Sequence, residues 1–214
     1  MTGLFGGSFN PPHVGHLAVA EACGDAAGLD RVVWMPAAVS PHKVGDRDAV
    51  PAALRLEMVR AAVAGNGRFE VSDLETRRAG VSYTVDTVRG LAGELGPLAG
   101  ADPGRVALII GGDSLATFPT WREPQAIVEL ARLVVYRRPG DGVRVDALPD
   151  WLADAVTIVD GPPLDLSSSA VRARVAAGQT VRYLVPDDVR EIVRREGLYG
   201  APATPGRIGA GGER

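Results

Sequence analysis

Residues 2–16 read TGLFGGSFNPPHVGH, a short apolar run followed by a loop rich in glycine and proline. The run Thr2–Phe5 predicts a buried strand, and Val14–Ala27 predicts the helix that follows the loop. Gly6 and Gly7 let backbone N–H groups approach a phosphate closely, and the helix offers its positive N-terminal end there. In an α/β sheet, ligands bind beyond the carboxyl ends of the strands, so this loop is the first place to expect a site.

The rest of the chain repeats this alternation of strand and helix. Further strands are predicted at Arg31–Met35, Phe69–Ser72, Arg105–Gly111, Leu133–Tyr136 and Val156–Val159. Further helices are predicted at Pro51–Ala64, Thr84–Leu95, Glu123–Ala131, Ser169–Ala177 and Asp187–Glu196. Short, continuously apolar strands between helices predict an α/β fold with a Rossmann-like doubly wound parallel sheet. We expect a single domain over 1–199 with a C-terminal helical portion, and a disordered tail over 200–214.

Composition excludes several classes of protein. The 214 residues are 46% hydrophobic and 23% charged, which is an ordinary globular balance. A net charge of −3 argues against broad nucleic-acid binding, because that function needs a basic surface. The chain has one cysteine, Cys23, which excludes an intramolecular disulfide and suits a reducing compartment. No apolar run approaches the length of a bilayer span. We therefore expect a cytoplasmic protein without nucleic-acid or membrane partners, and a homo-oligomer is compatible with the sequence.

The histidines are confined to the first 42 residues. His13 and His16 are three residues apart, which places them on one face if a helix begins near Val14. A zinc site is a weak alternative, because no further ligands accompany the pair. A single loop histidine is usually a solvated surface residue. Two of them in a structured loop at a strand end instead suit a phosphate chain, where they would neutralise charge during phosphoryl or nucleotidyl transfer.

One lysine stands apart from the other basic residues. Of the 23 lysines and arginines, only Lys43 is a lysine, and it follows His42 in a loop. An exposed loop lysine is the ordinary interpretation. A compact ammonium at a crowded phosphate is the alternative, since arginine does not replace it well there.

Two motifs resemble a known superfamily. The stretch from Gly7 to His16 resembles the GxFxPxHxGH signature of the HxGH nucleotidyltransferases. LSSSAVR, from Leu166 to Arg172, resembles their ISSTxIR motif, with Leu, Ser and Val in place of Ile, Thr and Ile. Other pieces narrow the resemblance to the bacterial nicotinate-nucleotide adenylyltransferases over residues 3–199. These are PHK at 41–43, SYTVDT at 82–87, and GDSL at 112–115 followed by Phe118 and Trp121.

The resemblance implies a reaction. Members of the family join ATP and nicotinate mononucleotide to give deamido-NAD and pyrophosphate, with Mg²⁺, in NAD biosynthesis. The attacking phosphate monoester is largely dianionic at neutral pH, so no general base is needed. We therefore expect a direct in-line attack without a covalent intermediate, assisted by positioning and charge stabilisation.

The resemblance also implies roles for particular residues. The implied catalytic residues are His13, His16, Lys43 and Arg172. The implied ATP ligands are Gly6, Gly7, Ser8, Phe9, His13, His16, Ser168, Ser169 and Arg172. The implied ligands of nicotinate mononucleotide are Ser8, Lys43, Thr84, Asp113 and Trp121. No metal ligand is assigned, although Asp113 could hold Mg²⁺ or a ribose hydroxyl, and Arg138 is a weaker phosphate or adenine-side candidate.

Alternative interpretations remain for single residues and for the chain as a whole. Ser167–Ser169 could simply cap a helix beside a solvated Arg172, and Trp121 could be a core aromatic. The whole chain could be a sister adenylyltransferase that uses nicotinamide mononucleotide or phosphopantetheine. It could also be a non-catalytic nucleotide-binding module on the same fold.

Overall fold

The computed structural model describes residues 1–39, 50–78, 80–95, 106–138, 140–142 and 144–201. The described residues form six strands: β1 (Thr2–Gly7), β2 (Arg31–Pro36), β3 (Phe69–Val71), β4 (Val106–Gly111), β5 (Arg132–Arg137) and β6 (Val156–Asp160). They make one parallel sheet in the order β3-β2-β1-β4-β5-β6. This order and direction confirm the predicted Rossmann-like doubly wound α/β fold.

Helices connect the strands, and the six predicted ones are present with no end shifted by more than one residue. The helices are α1 (Val14–Ala26), α2 (Ala52–Val63), α3 (Leu74–Arg77), α4 (Thr84–Glu94), α5 (Gly112–Thr117), α6 (Pro124–Leu130), α7 (Asp150–Ala153), α8 (Ser168–Ala176) and α9 (Asp187–Arg195). The sequence did not predict α3, α5 and α7, which are too short to show a helical period. No helix within the described ranges combines the length and apolar character needed to cross a membrane.

The core consists of two layers, one on each face of the sheet. Successive strand residues point to opposite faces, so Leu4 and Leu108 pack on one side while Phe5 and Ile109 pack on the other. The first layer includes the buried face of α4, namely Val85, Val88 and Leu91. The second includes Ala20 and Cys23 of α1 with Val59 and Val63 of α2. The strands are therefore covered on both faces, which explains their continuous apolar character.

The C-terminal helices form a third buried cluster against α2. Met58 of α2 packs with Val171 of α8 and Ile192 of α9. An ion pair between Arg195 and Glu57, 2.8 Å long, joins α9 to the same helix. A short turn, Leu198–Gly200, follows α9. The predicted tail over 200–214 overlaps this turn and lies outside the described residues from 202 onward, so it stays a prediction.

The sheet order determines where a ligand can bind. After β1 the chain crosses to β2 on one side, whereas β4 lies on the other side of β1. At such a switch point the loops after the two strands diverge and leave a crevice at the carboxyl ends. The loop with the histidines follows β1, and the start of α5 follows β4.

Candidate active site at the switch point of the sheet

A cavity of about 830 Å³ opens at the carboxyl ends of β1 and β4. Six residues that the sequence analysis singled out line it together: Gly6, Gly7, Ser8, Thr84, Asp113 and Trp121. They come from four separate parts of the chain, and the sheet topology brings them to one place. A cavity of this size is typical of a small-molecule site.

The wall of the cavity away from the histidines combines a flat ring with a cation. Trp121 packs against Phe118 with ring centroids 5.1 Å apart, and its indole Nε1 is buried without a hydrogen-bond partner. The guanidinium of Arg122 lies 4.6 Å from the centre of the Tyr83 ring. Helix α4 begins at Thr84, beside both. These groups could hold a flat ring that carries a negative substituent.

A buried acid supports the start of α4. Glu75 is 6% exposed, and its Oε1 accepts a 2.5 Å hydrogen bond from the Thr87 hydroxyl. Arg78 in turn donates to Thr87 Oγ1 at 2.8 Å. Glu75 and Arg122 both line the cavity, yet neither was predicted, because each lies in a short charged stretch that is typical of a surface. These two hydrogen bonds join the chain before the segment 82–84 to the chain after it.

Asp113 is the second residue of α5, which follows β4 without an intervening turn. Its carboxylate is exposed at the cavity. A Cβ at Gly111 would lie 2.6 Å from Asp113 Oδ1, so glycine is required for the carboxylate to take this position. Among the described residues, no group of three or more His, Cys, Asp and Glu side chains could hold a metal ion on its own.

The two histidines are adjacent at the N-terminus of α1. Their rings stack with centroids 3.7 Å apart, and His13 is buried. The backbone N–H of His13 donates to Nδ1 of His16 at 3.2 Å, so a neutral His16 carries its proton on Nε2. A Cβ at Gly15 would lie 3.0 Å from Nδ1 of His13, which explains the glycine between the histidines.

The surroundings keep both rings neutral. Burial lowers the pKa of His13 from 6.5 to about 4, and the positive charge of Arg138 contributes in the same direction. Burial also lowers the pKa of His16 well below 6.5, with further contributions from His13 and Arg138. At neutral pH each imidazole is therefore a neutral group with one N–H to donate.

Phe9 lies beneath the histidines rather than in the cavity. Its ring is 2% exposed and contacts His16 edge-to-face at 5.2 Å. Its backbone has φ +45°, a left-handed conformation that is uncommon for a bulky residue. A Cβ at Gly7 would meet the Phe9 ring at 3.1 Å, so that glycine leaves room for it. The structure thus gives Phe9 a supporting position under the histidine that was predicted to bind ATP.

The second motif contacts the first directly. The Ser168 hydroxyl donates to the carbonyl of Pro11 at 2.9 Å, across 157 residues of sequence. Arg172 donates through Nη1 to the carbonyl of Asn10 at 2.9 Å and through Nη2 to Ser169 Oγ at 3.2 Å. The two motifs therefore form one structural unit.

The capping interpretation of the serines applies to one of them. Ser167 is the N-cap of α8, where its hydroxyl accepts a 3.1 Å hydrogen bond from the N–H of Ala170. Ser168 contacts the loop after β1, and the exposed Ser169 is bonded by Arg172. Arg172 is thus a bonded part of the unit rather than a solvated surface arginine.

Tyr199 is a residue of this unit that sequence reasoning missed. Its hydroxyl donates to Oδ1 of Asn10 at 2.6 Å. Burial raises the pKa of Tyr199 well above 10, so the group is a neutral donor. No local pattern indicates this contact, because Asn10 lies 189 residues away in the sequence.

Two predicted candidates lie elsewhere. Lys43 falls in the stretch 40–49, outside the described residues, so its role stays a prediction. Arg138 lines a smaller cavity of about 340 Å³, beside an ion pair between Arg137 and Asp160 at 2.7 Å. Its positive charge contributes to the lowered pKa of both histidines.

Known proteins resemble this chain in sequence and in fold. The family described as cytidylyltransferase-like matches residues 4–174. A protein of Salinibacter ruber named "Probable nicotinate-nucleotide adenylyltransferase" is 44% identical over 197 residues, which cover 92% of this chain and 96% of that protein. A Roseiflexus protein of the same name is 42% identical over 200 residues, with the same coverage. The nicotinic acid mononucleotide adenylyltransferase of Plasmodium falciparum, complexed with NaAD, superposes with a TM-score of 0.71 over 94% of this chain and 97% of that chain, at 15% identity.

Proposed function

The chain belongs to the nicotinate-nucleotide adenylyltransferases of the cytidylyltransferase-like family, and we propose that it transfers the adenylyl group of ATP to nicotinate mononucleotide. The products are deamido-NAD and pyrophosphate. The observation that supports this most is the cavity at the switch point. It has an aromatic and cationic wall on one side and Gly6–Ser8 on the other, where the loop that carries the histidine pair begins.

The wall formed by Trp121 and Tyr83 suits the acceptor. The indole of Trp121 offers a surface on which a pyridine ring can stack. The pyridine carboxylate would find the amide groups at the start of α4 near Thr84 and the positive charge of Arg122. A carboxamide would gain less from both groups, and this favours nicotinate over nicotinamide.

The loop after β1 and the start of α8 suit the phosphates of ATP. Gly6 and Gly7, the last residues of β1, line the cavity and have no side chains that would keep a phosphate away from the backbone. The Nε2–H of His16 and the guanidinium of Arg172 add donors from two helix N-termini. Two neutral imidazoles beside one guanidinium provide directed hydrogen bonds to an anion, and they need not exchange protons with it.

The mechanism that follows is a direct in-line displacement. The phosphate of nicotinate mononucleotide attacks the α-phosphorus of ATP, the new P–O bond forms, and the bond to the β-phosphate oxygen breaks. Because the nucleophile is largely dianionic, the residues need only align it and stabilise charge on the departing pyrophosphate. His16 and Arg172 are the proposed groups for that charge, and no covalent enzyme intermediate is formed.

Mg²⁺ is the proposed cofactor, and Asp113 is the residue that would hold it. Mg²⁺ commonly binds through one or two carboxylates together with nucleotide phosphates, where it neutralises their charge. The exposed Asp113 carboxylate at the cavity fits this pattern. A fuller set of protein ligands is not needed when the nucleotide supplies the remaining oxygens.

Pyrophosphate release from ATP and Mg²⁺ tests the proposal with three acceptors in parallel: nicotinate mononucleotide, nicotinamide mononucleotide and phosphopantetheine. We expect the highest kcat/KM with nicotinate mononucleotide, and deamido-NAD as the second product. Faster turnover of either other acceptor would overturn the substrate assignment. Binding of ATP without turnover of any acceptor would instead indicate a non-catalytic nucleotide-binding module.

A further inference from the structure

Arg55 has surroundings that are unusual for a charged side chain. It lies at the end of the first turn of α2 and is only 6% exposed. Within the described ranges its side chain makes four hydrogen bonds, and all of them go to backbone carbonyls. Nε donates to Val50 at 3.0 Å, Nη1 to Ser8 at 2.8 Å, and Nη2 to Ala37 at 2.6 Å and to Ala38 at 2.9 Å. One guanidinium therefore holds three separate stretches of backbone.

The geometry of the guanidinium explains why arginine occupies this position. Its N–H groups radiate in one plane and can reach carbonyls in several directions, whereas an ammonium has three donors on a single nitrogen. Burial lowers the pKa of Arg55, while the nearby Tyr199 and Glu75 act in the opposite direction. Burying a charge is costly, and an apolar side chain would fill the same space more cheaply if packing were the only requirement.

The stretches that Arg55 holds belong to the two sides of the active site. Ser8 lies in the loop that leads to the histidines, and Ala37 follows β2; both line the cavity. The N–H of Ala38 donates to Ser82 Oγ at 3.2 Å, and the N–H of Ser82 donates to the carbonyl of Val39 at 3.0 Å. Tyr83 and Thr84 come next, at the acceptor wall. Arg55 thus contacts the ATP side directly, through the carbonyl of Ser8. It reaches the acceptor side indirectly, through Ala38 and then Ser82.

We propose that Arg55 is a positioning residue for adenylyl transfer, which fixes the loop after β1 and the loop after β2 at the separation that in-line attack requires. The inference rests on the proposed function. Arg55 does not itself line the cavity, so it acts through the backbone it holds. Reacting atoms must approach to about 3–3.5 Å in alignment, and a displacement of about 1 Å can lower the rate about 10²-fold. Losing these hydrogen bonds should therefore reduce kcat more than it weakens the binding of either substrate.

The test compares Arg55→Lys and Arg55→Gln with Arg60→Lys, a matched control at an exposed position of the same helix. Steady-state kinetics with ATP and nicotinate mononucleotide are expressed per folded molecule, with the folded fraction taken from thermal unfolding. We expect kcat to fall about 30- to 100-fold in both Arg55 variants, with each KM changed less than about threefold. Arg60→Lys should match the wild type. A further variant, Arg55→Ala, leaves a space that ethylguanidinium can fill. Added ethylguanidinium should raise the kcat of this variant several-fold, whereas ethylammonium should not.

The outcomes separate this inference from the function on which it rests. A kcat per folded molecule within twofold of wild type in both Arg55 variants would overturn the positioning role. So would a loss confined to KM, because positioning acts on the transition state. If the wild-type protein makes no deamido-NAD at all, the proposed function itself is wrong. A change in unfolding temperature without a change in kcat would reduce Arg55 to a structural residue.

Discussion

The imidazole rings of His13 and His16 stack at a centroid distance of 3.7 Å with an angle of 29° between their planes. Two imidazolium ions would repel each other at this distance, so the arrangement requires at least one neutral ring. The lowered pKa of both residues is consistent with two neutral rings. The pair therefore differs from a cationic phosphate clamp, because it offers neutral donors and leaves positive charge to the neighbouring arginines.

Stability should fall as the pH is lowered from 6.5 towards 4. The unfolded chain binds a proton at His13 near pH 6.5, whereas the folded chain does so only near pH 4, so acid favours unfolding across this interval. Below about pH 4 both states are protonated and the loss levels off, after about 3 kcal/mol from His13. Urea unfolding of wild type and His13→Gln at several pH values measures the difference between them. The carboxylates titrate in both proteins, so their effect cancels in the comparison. If the free energy of unfolding has the same pH dependence in both, the pKa of His13 is not shifted.

His16→Ala should lower kcat about 100-fold with little change in unfolding temperature, on the scale of a lost electrostatic stabiliser. Because Nδ1 of His16 already accepts the His13 N–H, the useful donor is Nε2–H. His16→Gln places an amide N–H near that position and should retain more activity than His16→Asn. Pyrophosphate release at saturating substrates measures all three variants. A rate near wild type in His16→Ala would remove His16 from the mechanism.

Gly15→Ala should separate stability from activity. Alanine favours a helix by up to about 1 kcal/mol over glycine, so the fold should survive. Its Cβ would press on the His13 ring at 3.0 Å, and we expect kcat/KM for ATP to fall about tenfold as the pair shifts. Gly93→Ala in α4 is the matched control, because a Cβ there meets nothing within 4 Å. Unchanged kinetics in Gly15→Ala would show that the histidine stack tolerates displacement.

Trp121→Ala should raise KM for nicotinate mononucleotide about tenfold and leave KM for ATP unchanged. A tenfold loss corresponds to about 1.4 kcal/mol, which is near the upper end of the range of about 0.5–1.5 kcal/mol for aromatic stacking. Trp121→Phe retains a ring but no indole N–H, and so it reports whether the unpartnered Nε1 contributes. Initial rates with each substrate varied in turn measure both constants. Equal increases in the two KM values would indicate a general disturbance of the cavity rather than an acceptor contact.

Lys43→Arg should lower kcat/KM despite the retained charge, because a guanidinium is larger than an ammonium and directs its donors differently. Kinetics with ATP and nicotinate mononucleotide provide the measurement, and Lys43→Ala shows the size of the full effect. If Lys43→Arg and wild type behave alike, the ordinary exposed-lysine interpretation is correct.

The main elements of the fold were predictable because their signals are local. Each strand is a short apolar run, and helices such as Asp187–Arg195 have buried positions at helical spacing and acids in the first turn. Helix α5 was missed for a physical reason. The glycines at 111 and 112 are typical of a turn, whereas the chain passes directly from strand into helix and needs Gly111 for the Asp113 side chain.

Supporting residues of the site were not predictable, because their roles come from tertiary contacts. Arg55 lies in a helix where an arginine is normally solvated, and only the packed structure shows its four carbonyl partners. Glu75 gains its role from Thr87, twelve residues away. The motif residues were found because their types carry chemistry, whereas the residues that hold them carry none that a sequence pattern reveals.

The contact between Tyr199 and Asn10 has a consequence for synthesis of the protein. The two residues are 189 positions apart, and Ser168 and Arg172 also reach back more than 150 positions to the same loop. At a translation rate of about 5–20 residues per second, a ribosome needs roughly 10 to 40 s to pass from the first residue of this contact to the second. During that time the nascent chain has the loop after β1 without the side chains that hold it. The proposed nucleotide site should therefore be among the last parts to mature, and a chain released before residue 168 would lack all three of these contacts.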